Sequence, residues 1–130
     1  MPYYVGRTNL AGVGSGSGSR GRAGRPNDPG VLILTSLASG PKHGYALARD
    51  IEAFSGAALG PGTLYGAITR LEQRGLIEPL EQDRRRRPYR LTAAGRLELA
   101  AAVRELGAIA DEGAHRLGMP LRGPRLGWSV

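Results

Sequence analysis

The sequence contains no cysteine, which excludes disulfides and thiolate chemistry. Its two histidines, His43 and His115, stand far apart, which argues against a metal site. Serines concentrate in the first twenty residues or so, and neither histidine has an evident acid and nucleophile beside it, so an enzyme is not expected. No apolar run approaches the roughly 18 residues of a membrane span, and the amino terminus lacks the basic-then-apolar pattern of a secretory signal. The expected location is the cytoplasm, with no membrane partner and no cofactor. Lysine is nearly missing as well, because Lys42 stands alone among 18 basic residues. The remaining positive charge is arginine, whose planar fork suits phosphates and guanine edges, although such a bias also arises from composition alone.

What is present bounds one modest domain. The chain has 130 residues and a formal charge of +7. Residues Ala11 to Gly30 are rich in Gly, Ser, Arg and Pro, a composition that buries too little area to offset the entropy of ordering. Residues 1–28 are therefore expected to form a flexible leader, with a folding unit of about 90 residues after it. Arg7, Arg20, Arg22 and Arg25 either trail along a polyanion or belong to a solvated leader. At the other end, residues 119–130, with Pro124 and the lone Trp128, are expected to be irregular.

Helical signals follow the leader. Asn27 or Asp28 is placed to cap a first helix, with Pro29 in its first turn and Val31, Leu32, Leu34, Leu37 and Ala38 as its apolar residues. Gly40 and Pro41 end it. A second helix is expected from about Gly44 to Phe54, burying Tyr45 or Leu47 together with Ala48, Ile51 and Phe54. The third is expected from Pro61 to Arg74, closed by Gly75. At 100° per residue its Leu64, Ala67, Ile68 and Leu71 share a core face. Gly62, Gly66, Thr69, Arg70 and Gln73 fall opposite, and the peptide N–H groups near Gly62 and Thr63 are placed to meet a phosphate.

Two strand-like segments come next, Ile77 to Glu81 and Tyr89 to Thr92. Between them lies the run Arg84, Arg85, Arg86, Arg87, too charged to be buried. Tyr89 and Leu91 share one side of the returning strand, and Arg90 points to the other. From Asp83 to Arg96 there are six Arg against one Asp, whereas Glu98 to Glu112 carries four acids against one Arg. The pattern is that of a basic β-hairpin wing, which makes double-stranded DNA the leading partner.

Thr92 is a good N-cap for a last helix with Leu97, Ala100, Val103, Leu106, Ala110, Ala114 and Leu117 at spacings near a heptad. A helix of some 25 residues, about 37 Å, is longer than so small a core covers, so self-association is expected. Leu99, Val103, Leu106, Ala110 and Leu117 are the candidate dimerisation residues. Gly107 and Gly113 mark either a break or a close helix crossing.

The ordered motifs resemble the PadR-type transcriptional regulators. They run Leu34 to Leu37, then Gly40-Pro41-Lys42-His43-Gly44-Tyr45, Pro61-Gly62-Thr63-Leu64-Tyr65, Arg70 to Ile77, and Arg87-Pro88-Tyr89-Arg90-Leu91-Thr92-Ala93-Ala94-Gly95. The resemblance spans about residues 30 to 117 and implies a mainly α fold with a small β-hairpin, the winged helix-turn-helix. It further implies a dimer through the last helix and a repressor that releases its operator on binding a small effector. Gly60 and Gly66 depart from the Ser and Pro that family members commonly carry around the Pro-Gly-Thr-Leu-Tyr element. By resemblance, Tyr45 is structural with a phosphate contact, and Thr63 and Tyr65 position the third helix on DNA. Tyr65 alternatively tucks its ring beside the core. His43 is expected at a helix start rather than as a ligand.

The expected organisation is a leader over 1–28, a winged helix-turn-helix over 29–92, a dimerisation helix over 93–118 and a tail over 119–130. The expected function is that of a sequence-specific, homodimeric DNA-binding repressor. Its DNA contacts would be Tyr45, Gly62, Thr63, Tyr65, Thr69, Arg70, Gln73, Arg84 to Arg87 and Arg90. A small apolar or aromatic effector would sit against Phe54, Leu106, Ile109 and Trp128. The competing reading is a winged-helix module that holds another protein and binds no specific DNA.

Overall fold

Asp28 starts the first helix by accepting from the Gly30 N–H at 3.2 Å, and Pro29 at the first helical position needs no donor of its own. In the computed structural model, which describes residues 28–82 and 84–120, this helix is α1 (Pro29–Leu37). It is buried nearly all round, through Val31, Leu32, Ile33, Leu34, Ser36 and Leu37, and packs against every other helix. A helix apolar on nearly all faces belongs at the centre, and the other described helices pack around it. The leader over 1–27, the tail beyond residue 120 with Trp128, and Asp83 lie outside the described residues.

After α1 come β1 (Lys42–His43), α2 (Gly44–Ser55), α3 (Pro61–Gln73), β2 (Ile77–Pro79), β3 (Pro88–Leu91) and α4 (Ala93–Leu117). The three strands form one antiparallel sheet in the order β1-β3-β2. Lys42 pairs with Tyr89 and His43 with Pro88 on one side, and Ile77 pairs with Leu91 and Glu78 with Arg90 on the other. The expected hairpin is present, with its first strand ending at Pro79 instead of Glu81 and its second shifted back one residue, because Thr92 serves α4. The Thr92 hydroxyl accepts from the Gly95 N–H at 3.0 Å and donates to the Gly75 carbonyl at 2.7 Å. β1 is additional to the expected strands.

The core follows the helical periods. Leu47 and Ile51 of α2, and Leu64, Ala67, Ile68 and Leu71 of α3, close on α1 with Leu76, Ile77, Leu91 and Leu99. Tyr45 and Phe54 differ from expectation. Tyr45 is 65% exposed, and Phe54, one turn beyond Ile51 and at the helix's last turn, is 46% exposed, so the buried stripe of α2 ends at Ile51. Two helix ends carry the expected glycine in the left-handed region, Gly75 after α3 and Gly56 after α2.

Lys42 anchors β1. Its ammonium donates to the Ser36 carbonyl at 2.6 Å and the Ser39 hydroxyl at 2.8 Å, satisfying the carboxyl end of α1. The buried Ser36 hydroxyl in turn donates to Asp50 of α2 at 2.6 Å. One lysine and one serine thus tie α1, β1 and α2 together, and β1 brings His43 to the flank of the wing.

The first turns of α4 are seated by Gly95, where a Cβ would overlap the Leu76 carbonyl and the Leu91 side chain. The face of α4 toward the core is Gly95, Leu99 and Ala102. Leu99, expected from sequence among the candidate dimerisation residues, is instead 9% exposed and part of the intramolecular core. Val103, Ile109 and Leu117 are 54%, 70% and 76% exposed. Among the described residues no helix is long and apolar enough to cross a membrane. The architecture is a winged helix-turn-helix with a long carboxy-terminal helix.

Candidate nucleic-acid interface

Three elements converge on one cleft. The start of α2 contributes His43, Gly44 and Tyr45, α3 contributes Tyr65, and the wing contributes Arg85, Arg86, Arg87 and Tyr89. The cleft encloses about 350 Å³, and among the described residues no acid lines it. Its wall of three guanidiniums, one imidazole and three phenols suits an anion flanked by sugar or base surface.

The α3 side of this surface is built by omission. Gly60 precedes the helix and offers no side-chain cap, so the first-turn N–H groups at Gly62 and Thr63 are left to external acceptors. Gly62, Thr63, Thr69, Arg70 and Gln73 are exposed, as the periodicity requires, and Gly66 is half-buried. The Thr69 hydroxyl donates to the Tyr65 carbonyl at 2.9 Å, which leaves its oxygen as an acceptor. Among the described residues the side chains of Arg70 and Gln73 have no hydrogen-bond or ion-pair partner. Both are placed to reach outward from the middle and end of the helix.

Of the two readings of Tyr65 from sequence, the fold shows the packed ring. Its ring lies on Gly44, where a Cβ would overlap the phenol, and yet the residue is 50% exposed and borders the cleft. Gly44 is required at the start of α2 because this ring occupies the space a side chain would fill.

The wing arginines are not equivalent. Arg84 has a left-handed φ of 63°, and its carbonyl accepts from the Gln82 amide at 3.1 Å, which shapes the turn. Arg85 projects without a protein partner among the described residues. Arg86 approaches His43 at 3.5 Å, and Arg87 donates to the Leu80 carbonyl at 3.2 Å. Arg90 lies on the other side of the strand from Tyr89 and is 2.6 Å from Glu78, so it is locally neutralised and stands apart from the cleft.

Arg49 escaped the sequence reading. It donates to the Tyr45 hydroxyl at 3.0 Å, with its guanidinium carbon 5.7 Å from the ring centroid, and that hydrogen bond raises its already high pKa. Its i, i+4 spacing from Tyr45 on α2 is the signal that would have found it. Burial pushes the Tyr89 phenol up, with Glu72 adding to the shift and Arg87 opposing it, so Tyr89 remains a neutral donor. No group of three or more potential ligands among the described residues could hold a metal ion.

Comparison with known proteins places this surface in context. The model of the transcriptional regulator PadR-like family matches residues 33–101. Transcriptional regulator Rv3488 of Mycobacterium tuberculosis is 37% identical over 83 residues, 62% of this chain and 77% of that one. An uncharacterized 37.1 kDa protein in transposon TN4556 of Streptomyces fradiae is 56% identical over 72 residues, 55% of this chain. The chain spans about a fifth of that protein, 21% of its length. A PadR family transcription regulator from hypervirulent Clostridium difficile R20291 superposes with a TM-score of 0.62 at 27% identity, covering 69% of this chain and 98% of the other.

Proposed function

The chain belongs to the transcriptional regulator PadR-like family, and from that premise we propose that it is a sequence-specific reader of double-stranded DNA, acting as a homodimeric repressor. The observation that carries the reading is the arginine-lined cleft in which the start of α2, Tyr65 of α3 and the wing meet, beside the exposed Arg70 and Gln73. In the proposed complex α3 lies in a major groove. Thr69, Arg70 and Gln73 reach base edges, while the N–H groups at Gly62 and Thr63, with Tyr45 and the wing, hold the backbone. Arg70 and Gln73 have the donors and acceptors for guanine and adenine edges respectively.

The outer half of α4 supports the dimer. Ile109 and Leu117 are exposed there and Val103 just before it, along a helix of 25 residues, and a second copy is the economical cover. Two copies of α3 would then enter grooves about 34 Å apart, so the operator is an imperfect inverted repeat. Release by a small apolar or aromatic effector, bound between α4 and its mate near Phe54, Leu106 and Ile109, completes the proposal. Such a ligand acts by favouring one dimer geometry over another.

The test is selection of the purified protein against a random duplex library at about 150 mM salt, near physiological ionic strength, with the number of chains per duplex counted. An enriched inverted repeat carrying two chains is expected. A bound pool without a motif, together with weak salt dependence, would instead favour a winged-helix module that holds another protein.

A further inference from the structure

His43 makes two contacts that one neutral imidazole cannot satisfy. Its Nδ1 accepts from the Ala46 backbone N–H at 3.4 Å, and its Nε2 lies 3.5 Å from a guanidinium nitrogen of Arg86. A backbone amide only donates, so the Nδ1 that caps α2 carries a lone pair, and the ring proton of the neutral tautomer sits on Nε2. A guanidinium also only donates. The His43 Nε2–H and the Arg86 N–H groups therefore face one another as donors. Exchanging the tautomer removes the cap and moves the conflict to Ala46. At 3.5 Å the contact lies at the outer limit of a hydrogen bond, and two facing donors are a geometry suited to a shared acceptor.

The surroundings favour an anionic acceptor. Among the described residues no carboxylate lines the cleft, Arg85 and Arg87 add positive charge, and the Tyr65 and Tyr89 hydroxyls have no hydrogen-bond partner. Glu72 is the acid that acts on Tyr89, and it lies outside the lining. β1 fixes the pair in register, because His43 is held opposite Pro88, two residues from Arg86.

Resting on the reading of the chain as a duplex-DNA binder, we infer that the cleft seats one phosphate of the DNA backbone, with a single anionic oxygen accepting from His43 Nε2–H and Arg86 together. His43 is thus both the cap of α2 and a neutral phosphate ligand, and the wing is joined to the helix-turn-helix through the bound phosphate. Arg86 contributes counterion release; neutral His43 contributes none.

The two roles of His43 separate by substitution. His43→Ser keeps a capping oxygen and removes the Nε2 donor, whereas His43→Ala removes both. On duplex recovered with the wild-type protein, His43→Ser should bind about tenfold more weakly with an unchanged salt slope. Arg86→Ala should bind about tenfold more weakly with a slope shallower by about 0.9. The double variant should bind little worse than Arg86→Ala, since both donors serve one oxygen. In ¹⁵N spectra of the wild-type side chains, duplex should move the His43 Nε2 signal and leave Nδ1 and His115 in place.

Wild-type affinity in His43→Ser, additive losses in the double variant, or an Nε2 signal indifferent to duplex would each overturn the inference. A shift with inorganic phosphate but not with duplex would also overturn it, in favour of a free-phosphate site. A wild-type protein that binds no duplex at all would remove the functional reading itself, a result distinct from binding that does not depend on His43.

Discussion

The ring of Tyr65 rests on Gly44, so closely that a Cβ at residue 44 would overlap its phenol. This contact limits how far a side chain at the first turn of α2 could extend toward α3. Gly44→Ala should lower stability by about 1–3 kcal/mol through overpacking. In a Tyr65→Ala background the same change should cost almost nothing, because the obstructing ring is gone. Thermal or denaturant unfolding of the four proteins tests this, and equal losses in both backgrounds would count against the packing of ring on glycine.

Two residues of α4, Leu99 and Ile109, allow folding to be tested apart from the proposed assembly. Leu99 belongs to the core and Ile109 is 70% exposed. Leu99→Ala should cost about 2–5 kcal/mol of stability. Ile109→Glu and Leu117→Glu should leave the fold intact and shift a dimer toward monomer in sedimentation. Unchanged dimerisation in the double glutamate variant would place the interface elsewhere.

The wing and α3 should differ in kind. Replacing Arg85 and Arg86 by Ala is expected to weaken all duplexes alike and make log affinity against log salt shallower by about 0.9 for each phosphate that is no longer neutralised. Gln73→Ala or Arg70→Ala should instead reduce discrimination between operator and mismatched duplex by roughly 1–3 kcal/mol. Arg90→Ala should have the smallest effect of the arginine changes, because its guanidinium is occupied by Glu78. Binding titrations at several salt concentrations distinguish these outcomes.

Tyr89 should make the fold sensitive to alkali. Burial raises its pKa above the ordinary value of 10.0, so the folded state holds the phenol proton more tightly than the unfolded chain does. The stabilisation is complete below pH 10.0 and declines as pH rises through the folded-state value. Tyr89→Phe should flatten that decline, a change measurable as unfolding midpoint against pH.

Much of the fold is legible in the sequence where periodicity and caps coincide. Asp28 and Thr92 cap helices, Gly75 closes α3, and all four residues assigned to the core face of α3 are buried. The phase of α4 is less legible, because two of the three residues it presses on the body in its first turns, Gly95 and Ala102, are too small to mark an apolar stripe. Leu97, a strong hydrophobic signal, is 73% exposed. β1 is two residues long, and no alternation can develop over that length. The juxtaposition of His43 with Arg86 follows from that strand, so it too is hidden in the linear chain.

Because β3 is the middle strand, its register is held by a neighbour on each side. The anchoring of the wing is therefore independent of the length of its tip. A change in the length of the loop after Leu80 is expected to leave the pairing of Tyr89 and Leu91 in place while moving the arginines that the loop carries.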